Sequence, residues 1–308
     1  MAKDTIYVMG HKSPDTDTVC SAIAYAEYLK KKEKINAVAA VCGDLNPETK
    51  FVLDHFKIAK PKKMESATGK TLVLVDHNES AQMPEGADSA KIIEVVDHHK
   101  ISFDYPEPIK FRAEPLGSTA AIVAKIMLAD NFKISKSLAG ILVSAILSDT
   151  VVFKSATTTE TDIKIAKALA KIAKIANLKN FGIEIKKQKA SLKGLTPEKI
   201  LRSDYKEFES QNGKFAVGQI EVVDLAEAKS RLAEIMAEME KNTAANNLVF
   251  TALMITDIIN CGTQLLVAGD STLIKRAFNQ TCDGGACYIP GMMSRKKDLL
   301  PPLLKAAE

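Results

Sequence analysis

The sequence has no tryptophan and few aromatic residues, which make up 6% of its 308 residues. We therefore expect a core built mainly from aliphatic side chains. Cysteine is also scarce: there are five, and no two form a Cys-x-x-Cys pair. An odd number at such spacings excludes a complete disulfide framework and a zinc site built from thiolates. Cys282 and Cys287 are near enough in sequence to be joined, but we expect reduced, half-buried thiols.

Other signals are missing as well. No apolar run approaches the roughly 18 residues of a membrane span. Lys3 and Asp4 precede a short strand, so we expect no signal peptide and a cytoplasmic protein. The net charge of +4 is too small to indicate nucleic-acid binding, which requires a clustered basic face. No Gly-x-Gly-x-x-Gly or Walker-type loop occurs, so nucleotide-binding functions lose their main motif.

The length favours two domains, since 308 residues are many for one. A lysine-rich polar stretch near residues 186–196 is typical of a linker. We predict a first domain at 1–187, a linker at 188–196 and a smaller second α/β domain at 197–308. The second domain should contain the following strands and helix: strands near 214–223, 248–257 and 264–269, and a helix near 225–239.

Strands and helices alternate in the first half. Strand-like runs end at Met9, near Cys42, at Asp76 and at Asp97, and an amphipathic pattern covers residues 18–34. Such alternation implies right-handed crossovers and a parallel sheet. Ligands of such sheets bind beyond the carboxyl ends of the strands. We therefore expect a functional site at that edge.

Histidine and aspartate residues cluster where these strands end. The clusters are His11-Lys-Ser-Pro-Asp15-Thr-Asp17, Asp76-His77 and Asp97-His98-His99. Asp149, at a predicted helix end, is a further contributor. Carboxylates and imidazoles without thiolates suit Mn²⁺, Co²⁺ or Mg²⁺ better than a structural zinc ion. We predict that these turns meet around a metal pair.

The spacing within the first cluster indicates two ions. Asp15 and Asp17 are separated only by Thr16, and we expect the two carboxylates to serve two neighbouring ions. Two ions about 3.5–4 Å apart activate water and stabilise both ends of an in-line displacement. Crowded carboxylates would otherwise repel one another and have raised pKa values. His77 either supports a ligand or belongs only to the turn, and the sequence leaves both open.

Basic residues of the second half can complete such a site. Lys206, Arg295 and Lys296 are remote in sequence from the acidic clusters. A cleft with metals on one wall and these cations on the other suits a compact polyanion such as a phosphate compound. Alone, the run 295–297 is typical of a solvated surface. It indicates phosphate binding only in combination with the metal turns.

These motifs resemble the DHH phosphoesterase superfamily, and most closely its family II, manganese-dependent inorganic pyrophosphatases. The His11–Asp17 turn and Asp97-His98-His99 carry the superfamily resemblance. It continues almost to the end of the chain through Val75-Asp-His-Asn-Glu79, Arg112-Ala-Glu-Pro115, Ser148-Asp149, Phe153-Lys-Ser155, Asp204-Tyr-Lys206 and Ser294-Arg-Lys-Lys297. Lys206 and the last motif indicate the pyrophosphatase branch.

The resemblance implies an activity and an architecture. It implies a cytoplasmic hydrolase that cleaves pyrophosphate to two phosphates by in-line attack of a metal-bridging hydroxide. Two α/β domains would close over the substrate, with the active site in the cleft between them. The enzyme would be a homodimer formed through its N-terminal domain, with no nucleic-acid or membrane partner. Each subunit would hold two Mn²⁺, with Co²⁺ as an alternative, and Mg²⁺ would arrive with the substrate.

It also implies the roles of individual residues. One metal would be held by His11, Asp15 and Asp76. The second would be held by Asp17, Asp76, His98 and Asp149, so that Asp76 bridges the two. Pyrophosphate would be bound by His99, Lys206, Arg295 and Lys296. His99 would also assist the leaving group, and Asp97 would support the ligands from outside.

The sequence departs from the family in two places. Lys12-Ser13 replaces a Gln-Asn pair common in bacterial members, and residues 282–286 match no family motif. No room exists for an inserted nucleotide-sensing module. Rival functions are another DHH phosphoesterase, either an exopolyphosphatase or a short-oligonucleotide phosphodiesterase, and a non-catalytic phosphate- or metal-sensing module. Nucleases of this superfamily carry a glycine-rich, histidine-containing motif, whereas Gly284-Gly285 is followed by Ala-Cys.

Overall fold

The computed structural model describes residues 5–211 and 213–307. Lys3 and Asp4, on which the expected lack of a signal peptide was based, lie outside the described residues. The chain divides into two compact units, unit 1 from Met1 to Lys189 and unit 2 from Ala190 to Glu308. Within the described residues, no helix is long and apolar enough to span a lipid bilayer.

Unit 1 contains a six-stranded sheet with the order β3-β2-β1-β4-β5-β6. The strands are β1 (Ile6–Met9), β2 (Ala37–Val41), β3 (Lys62–Lys63), β4 (Thr71–Val75), β5 (Lys91–Asp97) and β6 (Lys110–Ala113). Every neighbouring pair is parallel, which confirms the predicted parallel α/β sheet. Strands β3 and β6 were not predicted, because β3 has two exposed residues and β6 has no buried one, and such short edge strands lack a hydrophobic pattern.

The helices of unit 1 begin at side-chain caps. They are α1 (Thr16–Lys31), α2 (Pro47–His55), α3 (Thr119–Ala129), α4 (Lys136–Asp149), α5 (Glu160–Ala173) and α6 (Leu178–Lys187). Helix α1 starts two residues before the predicted Thr18, because the Asp15 side chain accepts a hydrogen bond from the Thr18 amide and caps it. Helix α4 ends at Asp149, where the sequence predicted a helix end.

The strand order creates a switch point in unit 1. From β1 the chain proceeds to β2 and β3 on one side, and it then returns to place β4 on the other side of β1. The loops that follow β1 and β4 therefore diverge at the carboxyl edge and leave a crevice there. This crevice lies where the sequence places His11 and Asp76.

Unit 2 contains a mixed sheet with the order β11-β10-β9-β8-β7. Its strands are β7 (Tyr205–Ser210), β8 (Gly213–Val222), β9 (Phe250–Asp257), β10 (Gly262–Gly269) and β11 (Ala286–Pro290). Its helices are α7 (Pro197–Leu201), α8 (Leu225–Ser230), α9 (Leu232–Ala245), α10 (Thr272–Phe278) and α11 (Leu300–Ala307), with a π-helical turn at Arg295–Leu299. Among the strands that the structure describes in unit 2, only β8 and β9 pair in parallel. Buried apolar clusters cover both faces, one around Phe215 and Phe250 and the other around Ile220 and Ile255.

One expectation for unit 2 was wrong. Cys282 and Cys287 are joined in a disulfide, with their Cα atoms 4.6 Å apart. The short turn Asp283–Gly285 brings the two residues together, and Gly284 and Gly285 have the positive φ angles that this reversal requires. The other cysteines are free. The predicted linker at 188–196 includes Ala190 and Leu192, which are buried in unit 2, and the domain limits stay a prediction.

Candidate metal centre

Turns after three adjacent strands meet at the carboxyl edge of the unit 1 sheet. His11 follows β1, Asp76 follows β4, and His98 follows β5. Asp76 has a left-handed backbone conformation, with φ of 63°, which aspartate tolerates better than most residues. Gly10 permits the close approach of α1, because a Cβ atom there would lie 2.2 Å from Thr18 Cγ2. Local backbone geometry thus directs the chain into the crevice.

His11, Asp15 and Asp76 form one group of ligand-type atoms, all within 4.8 Å of one another. His11 Nε2 lies 3.6 Å from Asp15 Oδ2 and 3.7 Å from Asp76 Oδ2. Asp15 is also the cap of α1, where its Oδ1 accepts a hydrogen bond from the Thr18 amide at 2.9 Å. One oxygen of Asp15 is therefore engaged, and the other remains directed at the group.

A second group contains Asp17, Asp76, His98 and Asp149. His98 Nε2 lies 3.5 Å from both Asp76 Oδ1 and Asp149 Oδ2. Asp17 is fully buried, and its two carboxylate oxygens accept hydrogen bonds from the Thr119 amide at 2.6 Å and the Ala120 amide at 2.9 Å. Those amides open α3, whose dipole favours a negative charge at this end. These hydrogen bonds connect the start of α3, which follows β6, to the turn that contains His11, Asp15 and Asp17.

Asp76 belongs to both groups, and its two oxygens face different sides. Oδ2 faces His11, whereas Oδ1 faces His98. Two hydroxyl groups hold the carboxylate: Thr18 Oγ1 donates to Oδ2 at 2.6 Å and Thr119 Oγ1 donates to Oδ1 at 3.1 Å. Asp76 is almost fully buried, with 2% of its surface exposed, and the two hydroxyl groups orient one oxygen towards each group.

His98 provides a test of whether these groups suit a metal ion. Its Nδ1 donates to the Leu116 carbonyl oxygen at 3.0 Å, and its Nε2 is buried with no hydrogen-bond partner among the described residues. Metal-bound histidines show this pattern, in which one ring nitrogen is fixed by a carbonyl and the other carries the lone pair. The donor set is all nitrogen and oxygen, as expected for Mn²⁺ or Mg²⁺.

The charges of the site also favour a cation. Burial raises the pKa of Asp76 well above its ordinary value, and repulsion from Asp17 adds to this. Burial likewise raises the pKa of Asp17 and of Asp149. Burial alone would lower the pKa of His98, but the neighbouring carboxylates outweigh it and raise that pKa to about 10. A divalent ion would relieve the repulsion among these carboxylates.

Asp97 orients the histidine pair. Its Oδ1 accepts hydrogen bonds from the amide of His98 at 2.8 Å, the amide of His99 at 3.2 Å and the His99 ring Nδ1 at 2.9 Å. Asn78 Nδ2 donates to the other oxygen at 2.6 Å. Burial tends to raise the pKa of Asp97, but these donors outweigh it and lower the pKa. With Nδ1 held, the half-exposed His99 ring keeps Nε2 for another partner.

Asp149 ends α4 beside an unusual turn. Three consecutive residues that follow Thr150 have left-handed backbone conformations: Val151, Val152 and Phe153, with φ angles of 47°, 54° and 66°. Such a conformation costs about 1–2 kcal/mol per non-glycine residue. Two amide hydrogen bonds to the Thr150 carbonyl oxygen, at 2.8 and 2.9 Å, close the turn. The chain thus leaves α4 abruptly, directly after Asp149.

A cavity of about 370 Å³ opens over these groups. Its lining includes His11, Ser13, Asp76, His99 and Asp149. His77 also lines it. The His77 ring is fixed by a 3.0 Å contact between its Nδ1 and the Val75 carbonyl oxygen, and burial lowers its pKa to about 4. His77 is outside the ligand groups. Lys12, of the Lys12-Ser13 departure, is exposed.

The predicted cationic residues lie in unit 2. Lys206, on β7, and Lys296 are exposed, whereas Arg295 is buried. The Arg295 guanidinium contacts both oxygens of the Asp204 carboxylate at 2.8 and 2.9 Å and donates to the Asp204 and Val217 carbonyl oxygens. Arg295 is therefore bound to Asp204 and Val217 within unit 2, and the sequence did not indicate these contacts.

The sequence also left several supporting residues unassigned. Thr18, Thr119 and Asn78 hold Asp76 and Asp97 through side-chain hydrogen bonds. A signal did exist for Thr119, since Ser118-Thr119 precedes an apolar helical run and is typical of a helix start. The pairings themselves join residues 19 to 58 positions apart, so no local pattern could indicate them.

Comparisons with known proteins agree with this geometry. The family model of the DHH family, N-terminal domain, matches residues 5–146, and that of the DHHA2 domain matches residues 183–306. A manganese-dependent inorganic pyrophosphatase of Methanocaldococcus jannaschii is 41% identical, covering 97% of this chain and 98% of its own. The protein of that name from Bacillus subtilis is 39% identical, covering 98% and 99%.

Solved structures show the same relationship. A putative family II inorganic pyrophosphatase of Methanococcus jannaschii superposes with a TM-score of 0.65 at 40% identity, covering 98% of this chain and 99% of that one. An exopolyphosphatase-related protein from Bacteroides fragilis has a TM-score of 0.51 at 17% identity, covering 98% and 92%. The second likeness shows a shared fold alone.

Proposed function

This chain belongs to the family of manganese-dependent inorganic pyrophosphatases, and from that premise we propose that it hydrolyses pyrophosphate to two phosphate ions. The observation that carries the proposal is the position of Asp76, whose two oxygens face two separate groups of ligand-type atoms. A shared carboxylate can hold two ions near each other, and two neighbouring ions are what the two-metal mechanism of phosphoryl hydrolysis uses. The full-length relatives named for this activity support it.

We propose two Mn²⁺ per subunit, with Co²⁺ as an alternative. One would be held by His11, Asp15 and Asp76. The other would be held by Asp17, Asp76, His98 and Asp149. Bound there, such ions would supply an activated water at neutral pH and would stabilise the attacking and leaving oxygens of an in-line displacement. Mg²⁺ would enter with the substrate.

The chain's own residues would bind and orient the pyrophosphate. Lys206, Arg295 and Lys296 would contact phosphate oxygens, as lysine and arginine do elsewhere. Asp204 and Val217 accept four hydrogen bonds from the two terminal nitrogens of Arg295, so that among the described contacts the Nε hydrogen is the one of its five N–H groups left for phosphate. His99 would donate a proton or a hydrogen bond from Nε2 to the leaving phosphate, since Asp97 occupies its Nδ1.

Two features of the assembly are also proposals. We propose that residues of both units take part in binding the substrate, because the acidic groups belong to unit 1 and the cations to unit 2. Dimerisation through unit 1 and a cytoplasmic location are proposed from the family resemblance.

An assay of phosphate release tests the function. The purified chain is offered pyrophosphate, tripolyphosphate and a dinucleotide, each with Mn²⁺ or Mg²⁺. We expect rapid hydrolysis of pyrophosphate in Mn²⁺ and its loss in His98→Ala. Turnover of the dinucleotide alone would overturn the proposal in favour of an oligonucleotide phosphodiesterase, preferential cleavage of tripolyphosphate would indicate an exopolyphosphatase, and no turnover would indicate a sensing module.

A further inference from the structure

A buried ion pair lies beside the metal centre and outside both ligand groups. Glu48 is in the first turn of α2 and has 2% of its surface exposed. Lys186 is near the end of α6, and 16% of its side chain is exposed. Lys186 Nζ lies 3.2 Å from Glu48 Oε2. Burying two charges is costly unless they have further polar partners, so the other contacts of this pair indicate what it does.

The carboxylate of Glu48 connects two separate parts of the metal centre. Its Oε1 accepts a hydrogen bond from Thr16 Oγ1 at 2.7 Å and another from Ser148 Oγ. Thr16 is the residue between Asp15 and Asp17, and Ser148 directly precedes Asp149. One carboxylate oxygen therefore holds the chain next to three of the six ligand residues.

Lys186 reinforces the same attachment. Besides Glu48, its ammonium group donates to the Ser148 carbonyl oxygen at 3.4 Å and lies 3.5 Å from Ser148 Oγ. A cation at the last turn of α4 also complements the negative end of that helix. The left-handed turn begins at Val151, two residues after Asp149. Asp149 is therefore held on one side by the contacts of the ion pair with Ser148 and is followed on the other side by this turn.

We propose that Glu48 and Lys186 are positioning residues for the metal centre, which keep Asp17 and Asp149 at a separation that suits one ion. The inference rests on the metal site of the proposed function. The physical reason is that loss of either partner leaves an uncompensated buried charge, and the freed charge would pull on Thr16 and Ser148. Groups that hydrogen-bond a ligand residue directly change metal affinity about 10–100-fold when altered, and this pair acts on the ligands through the adjoining residues Thr16 and Ser148.

The test measures Mn²⁺ binding to the metal-free full chain by titration calorimetry, together with the thermal unfolding temperature. Lys186→Met should weaken binding at one site about 10–100-fold, while Lys186→Arg, which keeps the charge, should bind nearly as the unaltered protein does. Adding Glu48→Gln to Lys186→Met should recover most of the affinity, because the pair is then neutral and the introduced amide oxygen still accepts both hydroxyl hydrogen bonds. If Lys186→Met fails to fold, Ser148→Ala decides, with weaker binding at one site expected.

A second ion pair of unit 1, whose glutamate is buried and whose lysine is half-exposed, separates positioning from general stability. Glu94 is buried, with Lys110 Nζ at 2.8 Å and the Tyr25 hydroxyl at 2.6 Å, and neither partner adjoins a ligand residue. Lys110→Met should lower the unfolding temperature and leave Mn²⁺ affinity unchanged. Unchanged affinity in Lys186→Met, or an equal loss in Lys110→Met, would overturn the inference. Failure of the unaltered protein to bind two Mn²⁺ would instead refute the proposed metal site.

Discussion

The strongest expectation concerns Asp76, because one carboxylate takes part in both ligand groups. We choose Asp76→Asn, since asparagine also tolerates the left-handed backbone that this position requires, with φ of 63°. The substitution keeps the size of the side chain and removes its charge. The hydroxyls of Thr18 and Thr119 can rotate to hydrogen-bond the amide, so we expect the metal-free variant to be within about 1 kcal/mol of the unaltered protein in stability.

The effect on metal binding should be large and should involve both ions. Residues that merely orient a ligand contribute about 10–100-fold to metal affinity, so loss of the ligand itself should cost at least about 100-fold at each ion. If both losses reach the reaction, activity falls by about 10⁴-fold, which equals about 5.4 kcal/mol of transition-state stabilisation. Stoichiometry at moderate Mn²⁺ should fall from two to one or none.

Calorimetric titration with Mn²⁺ and phosphate release from pyrophosphate measure these effects. Asp257→Asn is the matched control: Asp257 is also a buried aspartate at a strand end, where its Oδ1 accepts hydrogen bonds from the Ile259 and Asn260 amides. The control should lose stability and keep two Mn²⁺. Two tightly bound Mn²⁺ in Asp76→Asn would refute the reasoning that one carboxylate serves both ions.

Three further predictions follow from the same geometry. His11→Ala and His98→Ala should each reduce the Mn²⁺ stoichiometry from two to one, because the two histidines belong to different ligand groups in the proposal. Loss of both ions in either variant would contradict the assignment of the two histidines to different ions. Lys206→Ala should raise KM about tenfold or more at unchanged unfolding temperature, since a charged hydrogen bond contributes about 1.5–3 kcal/mol. Arg295→Ala should raise KM and also lower the unfolding temperature, because its buried guanidinium holds Asp204. Equal unfolding temperatures for the two variants would contradict this expectation. Mn²⁺ affinity should increase with pH and binding should release protons, because burial raises the pKa values of the Asp17, Asp76 and Asp149 carboxylates and neighbouring carboxylates raise the pKa of His98 to about 10. Calorimetry in buffers of different ionisation enthalpy measures this proton release. Mn²⁺ binding without proton release would contradict metal binding at these groups.

Local sequence was informative wherever a pattern repeats within one element. The apolar runs before His11, Asp76 and Asp97 predicted β1, β4 and β5, since a buried parallel strand is apolar throughout. The period of α1 was also visible, although its start was placed two residues late because the cap at Asp15 was interpreted only as a ligand. Capping and metal binding use different oxygens of the same carboxylate, so neither excludes the other.

Pairings across the chain could not be predicted. Arg295 was predicted to bind pyrophosphate, and its contact with Asp204, which is 91 residues away, had no signal in the local sequence. The Cys282–Cys287 bond was also missed, because it depends on the backbone reversal at Gly284 and Gly285. Glu48 and Lys186 had no local signature, since a charged residue on a helix is most often solvated.

Residue type and order were enough to predict the chemical class of the candidate site and the edge of the sheet where its side chains meet. Residue type alone indicated His11, Asp15, Asp17, Asp76 and His98 as candidate ligands. The parallel sheet explains why these residues, which follow apolar strands, lie at one edge. The folded chain was needed to establish which oxygen faces which group and which side chains hold each ligand in place. Those facts depend on helices α1, α3 and α4 converging on the switch point, and packing of distant segments leaves no trace in local periodicity.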